Sequence, residues 1–212
     1  MSFSSDVKKE ICSVEQFDRE ALKAELYGML LFSRNFSPNK ITFTTESNYA
    51  GNRLIFLLQN LYMPIIEKQS ALRTKSSDSR LYKIIVVDEN DCKRIFEDFG
   101  HIYGQVTLRV NRANLSSEEL TQSFLRGVFL SCGSISDPMK SYHLEFCVPH
   151  KNLSQDLCKV LSEITECTLA PKTVVRSGSY IVYFKESEQI CDLLTYIGCL
   201  LYTSPSPRDP KN

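Results

Sequence analysis

Thiols and imidazoles are the side chains here whose spacing could hold a metal or carry a nucleophile. Cys147 and His150 form a lone Cys-x-x-His pair, and the other cysteines stand at 12, 92, 132, 158, 167, 191 and 199. A structural zinc site draws four ligands, normally from two short-spaced pairs. No Cys-x-x-Cys completes the set, and His101 falls in a stretch that reads as a connector. The pattern fits a strand cysteine beside a loop histidine, so no metal is expected. There is no basic-then-apolar leader, so the cysteines read as reduced, mostly buried thiols of a cytoplasmic protein. A Gly-rich phosphate loop, a G-x-S-x-G elbow and a paired-histidine metal helix are also missing, and no cofactor is expected.

Any chemistry must therefore come from how elements assemble. The chain has 212 residues, 42% hydrophobic and 24% charged, which is globular composition. That length supports one large domain or two small coupled ones. Lys plus Arg equals Asp plus Glu at 25 each. Phosphate neutralisation supplies much of the affinity of nucleic-acid binders, so this balance excludes a broadly basic body and leaves room only for a local cationic stripe. The longest apolar runs, such as Leu54 to Leu58, fall far short of the ~18 residues of a membrane span.

One half of the chain can be laid on the other at an offset of about 98 to 101 residues. LYKIIVVDENDCKRIFEDFG (81–100) matches SYIVYFKESEQICDLLTYIG (179–198), each a strand run followed by a short amphipathic helix closed by Gly100 or Gly198. Upstream, EALKAELYGMLLFS (20–33) pairs with EELTQSFLRGVFLSC (118–132), followed by the strand-like ITFTTES and YHLEFCV. A second helix (48–62 and 152–164) and a second strand (65–73 and 167–176) complete each half, so the expected order is α-β-α-β-β-α. Ser116-x-x-Glu119 reads as a capping box at the start of the second half, and Ser4, Ser5 or Asp6 as caps for a leading helix.

The helices carrying Gly28 and Gly127 are apolar on more than one face, unlike surface helices. A glycine inside a helix costs about 0.5 to 1 kcal/mol against alanine, and close approach of two helix backbones would account for it. Gly28 and Gly127 are therefore expected at the interface between the repeats.

LYGMLLFSR and LRGVFLSCG stand where the motif of LAGLIDADG homing endonucleases falls. MSFSSDVKKEI, FLRGVFLSCGSISDPMKSYHLEF and YIVYFKESEQICDLLTYIG resemble the WhiA-type sporulation and cell-division regulators over residues 1 to about 198. The resemblance implies an α+β fold of two pseudo-symmetric LAGLIDADG-like repeats whose antiparallel sheets form a saddle, followed in the family by a DNA-reading helix-turn-helix. The expected divisions are an N-terminal helix at 1–15, repeat one at 16–100, a linker at 101–115, repeat two at 116–198 and a disordered tail at 199–212. That tail, CLLYTSPSPRDPKN, resembles translated adaptor sequence and is expected to be non-native, so the chain reads as ending before the helix-turn-helix.

A LAGLIDADG nuclease needs one carboxylate at the foot of each interface helix to share divalent ions. Alignment on the motif glycines places Ser33 and Cys132 there. A neutral hydroxyl and a soft thiol are poor ligands for a hard cation. Asp137, beside Pro138, reads as a turn former. The resemblance thus implies a non-catalytic regulatory domain at the nucleoid, with an active homing endonuclease or a cell-division protein-interaction module as alternatives. DNA contact would come from cations on the strands: Arg73, Lys75, Lys83, Lys172, Arg176 and Lys185, with Arg80 and Lys140 in adjoining loops. Glu46, Glu67 and Glu145 would offset part of that field. The expected partner is DNA, bound weakly by this part of the protein, with protein partners open and no membrane.

Overall fold

The computed structural model describes residues 2–72 and 80–201, so Arg73 and Lys75 lie outside the described residues. Helix α1 (Phe3–Cys12) leads into α2 (Arg19–Leu31), β1 (Asn35–Ser37), β2 (Lys40–Thr45), α3 (Asn48–Leu61), β3 (Ile66–Leu72), β4 (Arg80–Val86) and α4 (Glu89–Asp98). After a 3₁₀ turn at Arg112–Leu115 come α5 (Glu118–Cys132), β5 (Gly133–Ile135), β6 (Leu144–Val148), α6 (Lys151–Ser162), β7 (Lys172–Arg176), β8 (Ser179–Phe184) and α7 (Ser187–Tyr196). The order from α2 to α4 recurs from α5 to α7 with an extra strand in each half that the expected order lacked. β1 and β5 are three residues each, too short for alternation to show in sequence.

Helix starts follow side-chain capping. Asp18 accepts from the Ala21 amide at 3.0 Å, Ser47 from Ala50 at 3.3 Å, and Asp88 from Asn90 and Asp91. The expected capping box is displaced by one residue. Ser117, not Ser116, accepts from the Leu120 amide at 3.2 Å, because Ser116 closes the preceding 3₁₀ turn. The leading helix is capped by Ser2 rather than Ser4, Ser5 or Asp6, through the Ser5 amide. Gly100 and Gly198 do close α4 and α7, with φ of +76° and +93°. In each, the following amide returns to the helix (His101 N–H to Phe96 O, Cys199 N–H to Leu194 O), a Schellman ending that a residue with a Cβ would strain.

That second ending corrects the tail boundary. Cys199 is fully buried, and Glu10 accepts the Leu200 amide at 2.8 Å and the Leu201 amide at 3.1 Å, so the packed chain continues past 198. The remainder of the expected tail, 202–212, lies outside the described residues.

Each sheet is four-stranded and wholly antiparallel, ordered β1-β2-β4-β3 and β5-β6-β8-β7. Helices cover one face of each, α3 and α4 on the first sheet and α5 and α6 on the second. One continuous apolar cluster runs through both halves, from Phe43 and Ile84 to Phe146 and Val182.

Helices α2 and α5 form the seam. Every residue from Ala21 to Leu31 except Lys23 is buried. A methyl added at Gly28 would strike the Phe124 carbonyl and lie 2.9 Å from the Val128 nitrogen. One added at Gly127 would strike the Glu25 carbonyl and lie 3.0 Å from the Met29 nitrogen. The backbones touch where the glycines stand.

Residues 101–111 contain no strand and are pinned along α2 and α6. Tyr27 Oη lies 3.1 Å from buried His101 Nε2 and accepts the Asn111 amide at 2.8 Å, while Asp156 takes both Arg109 and the Val110 amide.

Candidate nucleic-acid interface

Paired residues in an antiparallel ladder share a face, and neighbours along a strand alternate. In the first sheet, Ile84 and Val86 pair with Phe43 and Ile41 and are buried beneath the helices. The other face therefore carries Thr42, Thr44, Glu67, Gln69, Lys83 and Ile85. Lys40, opposite Ser37 at the strand end, belongs to it too. In the second sheet, Phe146 and Val182 pair inward, which leaves Glu145, Tyr183, Lys172 and Arg176 on the open face.

The two open faces differ electrically. Lys40 and Lys83 are exposed, and among the described residues neither has an ion-pair partner. Glu67 accepts from Gln69 at 2.8 Å. On the second face Glu145 accepts from Arg176 at 2.8 Å and pairs with His143 Nε2 at 2.9 Å. Burial alone would raise the Glu145 carboxyl, but His143 and Arg176 outweigh it and hold it below the usual carboxylate range. Lys172 is tied to Glu186 at 3.0 Å.

The remaining sequence candidates scatter. Lys185 lies one residue past β8 with its ammonium 5.6 Å from the Tyr183 ring centroid. Lys140 is exposed in the turn that Asp137 organises by accepting the Met139 amide at 3.0 Å. Arg80 is not in a loop. It opens β4, in the register of the helix-covered face, and lines a cleft at the sheet edge.

That cleft, of about 1230 Å³, lies at the foot of α2 and α5 and takes walls from β2 and β4 of the first sheet and β5 and β6 of the second. Ser33 and Cys132 both line it. Ser33 donates its hydroxyl to the Leu30 carbonyl at 2.6 Å. Burial raises the Cys132 thiol well above the usual range, against the field of Lys8, so it stays protonated at neutral pH. Lys8 enters from α1. Its half-buried ammonium donates to the Leu130 carbonyl at 3.4 Å and lies 5.9 Å from the Phe129 ring centroid. Burial pulls its pKa below the ordinary lysine range, against the fields of Cys132, Cys12 and Glu46.

Among the described residues lining the cleft, Glu46 is the one carboxylate. A hard divalent ion prefers several oxygen anions. An ammonium, a protonated thiol and a hydroxyl already committed to a carbonyl do not make that donor set, so the divalent ions that the nuclease resemblance implies do not fit here. Sequence reasoning missed Lys8, Arg34 and Lys40. Lys40 was recoverable as the residue preceding the strand run, whereas nothing local distinguishes Lys8 from Lys9.

A layer of buried charge lies above the cleft. Glu25, fully buried, takes a two-point hydrogen bond from Arg53 at 2.8 and 2.7 Å, and Arg126 Nη1 stands 3.8 Å away. Arg126 Nε donates to the Ile197 carbonyl at 3.0 Å, and burial lowers its pKa against the pull of Glu25.

Residues 121–201 match the family described as the WhiA LAGLIDADG-like domain. The chain is 34% identical over 207 residues to the probable cell division protein WhiA of Clostridium perfringens, covering 93% of this chain and 65% of that protein. It is 36% identical over 208 residues to its counterpart in Clostridium novyi, again with 65% of the relative covered. Among solved structures, the N-terminal LAGLIDADG domain of DUF199/WhiA superposes with a TM-score of 0.72 at 24% identity, covering 93% of this chain and 90% of that one. The homing endonuclease I-WcaI, bound to its DNA recognition sequence, superposes with a TM-score of 0.54 at 12% identity, covering 91% and 86%. These two likenesses establish the α+β LAGLIDADG fold.

Proposed function

We propose that this chain, a homologue of the WhiA cell-division proteins that carries their LAGLIDADG-like domain, is a non-catalytic DNA-binding part of a bacterial cell-division and transcription regulator acting at the nucleoid. The chain spans 65% of the length of these relatives, and the reading concerns the saddle alone. Residues 16–100 and 116–198 are read as two copies of one repeat joined by 101–115, with α2 and α5 as the paired interface helices.

The observation that carries the reading is the cleft beneath that pair. A nuclease of this fold requires convergent carboxylates with shared metal ions. We read Ser33 and Cys132 at those places; both line the cleft with Lys8, and on this reading the site lacks the carboxylates that would activate water and offers a cationic side chain instead. The open face of the first sheet offers Lys40 and Lys83 for phosphate contacts, while Lys172 and Arg176 on the second are held by Glu186 and Glu145. A β-surface of this kind can lie in the major groove, and the modest count of free cations gives non-specific binding of about 10⁻⁴ to 10⁻⁶ M at physiological salt.

Fluorescence anisotropy with promoter and random duplexes tests it. Both should bind with similar weak affinity that falls steeply with salt, and supercoiled plasmid should remain intact with Mg²⁺ or Mn²⁺. Nanomolar discrimination of a promoter would make the saddle itself the sequence reader and overturn this division of labour. No described helix is long and apolar enough to cross a membrane.

A further inference from the structure

We infer that the cleft at the foot of α2 and α5 is a phosphate seat in which the Lys8 ammonium does the charge-neutralising work that a divalent ion does in a nuclease. Its ligand is a backbone phosphate of a duplex laid across both sheets, an assignment that rests on the DNA-binding reading above.

An ammonium has three donors, and a half-buried one costs free energy unless they are used. Among the described residues Lys8 makes one hydrogen bond, to a carbonyl at 3.4 Å, and no ion pair. Glu46 acts on it only at longer range, as a field. Two N–H donors are left for something that enters the cleft, and an oxyanion suits them.

Lys8 does not hang from a loose terminus: Val7 and Ile11 of the same helix are fully buried, which fixes the ammonium before any ligand arrives. Such preorganisation removes part of the ordering cost of binding. Arg34 and Arg80 line the same cleft, giving, among the described residues, three cations against the one carboxylate of Glu46.

The cleft draws on β2 and β4 of one sheet and β5 and β6 of the other. A polymer spanning the saddle would cross it, and about 1230 Å³ is more than one small anion needs. Since Lys8 is held in place by its own helix, the contact requires no added metal.

The test is anisotropy of a labelled random duplex over a salt series in EDTA, with the wild-type chain, Lys8→Met and Lys8→Arg. Each neutralised phosphate contributes about 0.9 to the slope of log K against log salt. Lys8→Met should lower the slope by about 0.9 and weaken binding at low salt, while Lys8→Arg should restore the slope. Should Lys8→Met fail to melt cooperatively, Arg80→Gln carries the same measurement from the other side of the cleft.

A wild-type slope in the Lys8→Met and Arg80→Gln variants, with binding still weakened by Lys40→Gln on the open face, would refute the phosphate seat and leave the DNA reading standing. Absence of duplex binding by the wild-type chain at low salt would sink that reading, and this inference with it. Titration with inorganic phosphate separates the sources. Lys8-dependent phosphate binding together with Lys8-independent duplex binding would make the cleft a small-anion site and overturn the duplex assignment.

Discussion

The two halves share an order of elements and differ in where they keep their charge. On the first sheet's open face Lys40 and Lys83 are exposed without ion-pair partners among the described residues, whereas on the second Arg176, His143 and Lys172 are already held by Glu145 and Glu186. Counting cations would rate the second face the stronger DNA surface; pairing reverses the ranking. The seam shows the same asymmetry. Three residues before the interface glycine stand Glu25 in α2 and Phe124 in α5, and one residue before it stand Tyr27 and Arg126. A symmetric backbone thus carries an asymmetric charge plan, in which the acid comes from the first repeat and one of its two arginines from the second.

The largest expected effect comes from breaking that seam. Glu25→Ala would strand Arg53 and Arg126 without their acid, a loss of about 3–5 kcal/mol for a buried pair. Denaturant unfolding measures it, and a loss under about 1 kcal/mol would mean the cluster is far more hydrated than its burial implies.

Next comes the helix contact. Gly127→Ala would drive a methyl into the Glu25 carbonyl, for which about 1–3 kcal/mol of overpacking is expected, and Gly28→Ala should act alike on the Phe124 carbonyl. An unchanged unfolding midpoint in either variant would deny the close approach of α2 and α5.

The face comparison is sharpened by two substitutions of opposite sign. Lys83→Gln should weaken duplex binding and lower the salt slope by up to about 0.9, whereas Glu145→Gln releases Arg176 and should tighten binding and steepen the slope. Equal and opposite small changes support the pairing account. A Glu145→Gln variant that binds no better would show that Arg176 was never withheld.

The smallest effect concerns the connector. Burial holds the His101 pKa below its ordinary 6.5, so the unfolded chain takes up the proton first. Stability is then full above about pH 6.5 and falls as pH drops below it. The melting midpoint should decline from about pH 7.5 to about pH 5.5, and His101→Gln should flatten that decline. A flat wild-type profile would contradict the neutral, buried imidazole.

Much of this was legible in sequence. The repeat offset located both interface helices, and helix glycines on multi-faced apolar helices pointed to the crossing, because close backbone approach leaves a compositional trace. Three-residue strands leave none, so β1 and β5 were invisible. Cap positions shifted by one because Ser116 and Ser117 are chemically equivalent until the 3₁₀ turn claims one of them. Cation candidates were found by type, but pairing across strands depends on register: nothing near Arg176 in sequence announces Glu145, which faces it from two strands away. Lys8 was hidden for the same reason, since the cleft sets it among residues more than 100 positions away from it, such as Cys132 and Cys147.

The central claim, a saddle that binds DNA through fixed cations and cuts nothing, is tested most directly in one experiment. A labelled supercoiled plasmid is held with the purified chain at low salt in EDTA, then in Mn²⁺, while binding is read by mobility and strand integrity by gel. The account expects a salt-sensitive complex in EDTA and an uncut plasmid in both conditions. Nicking that requires Mn²⁺ and co-purifies with the chain through stringent chromatography would contradict it.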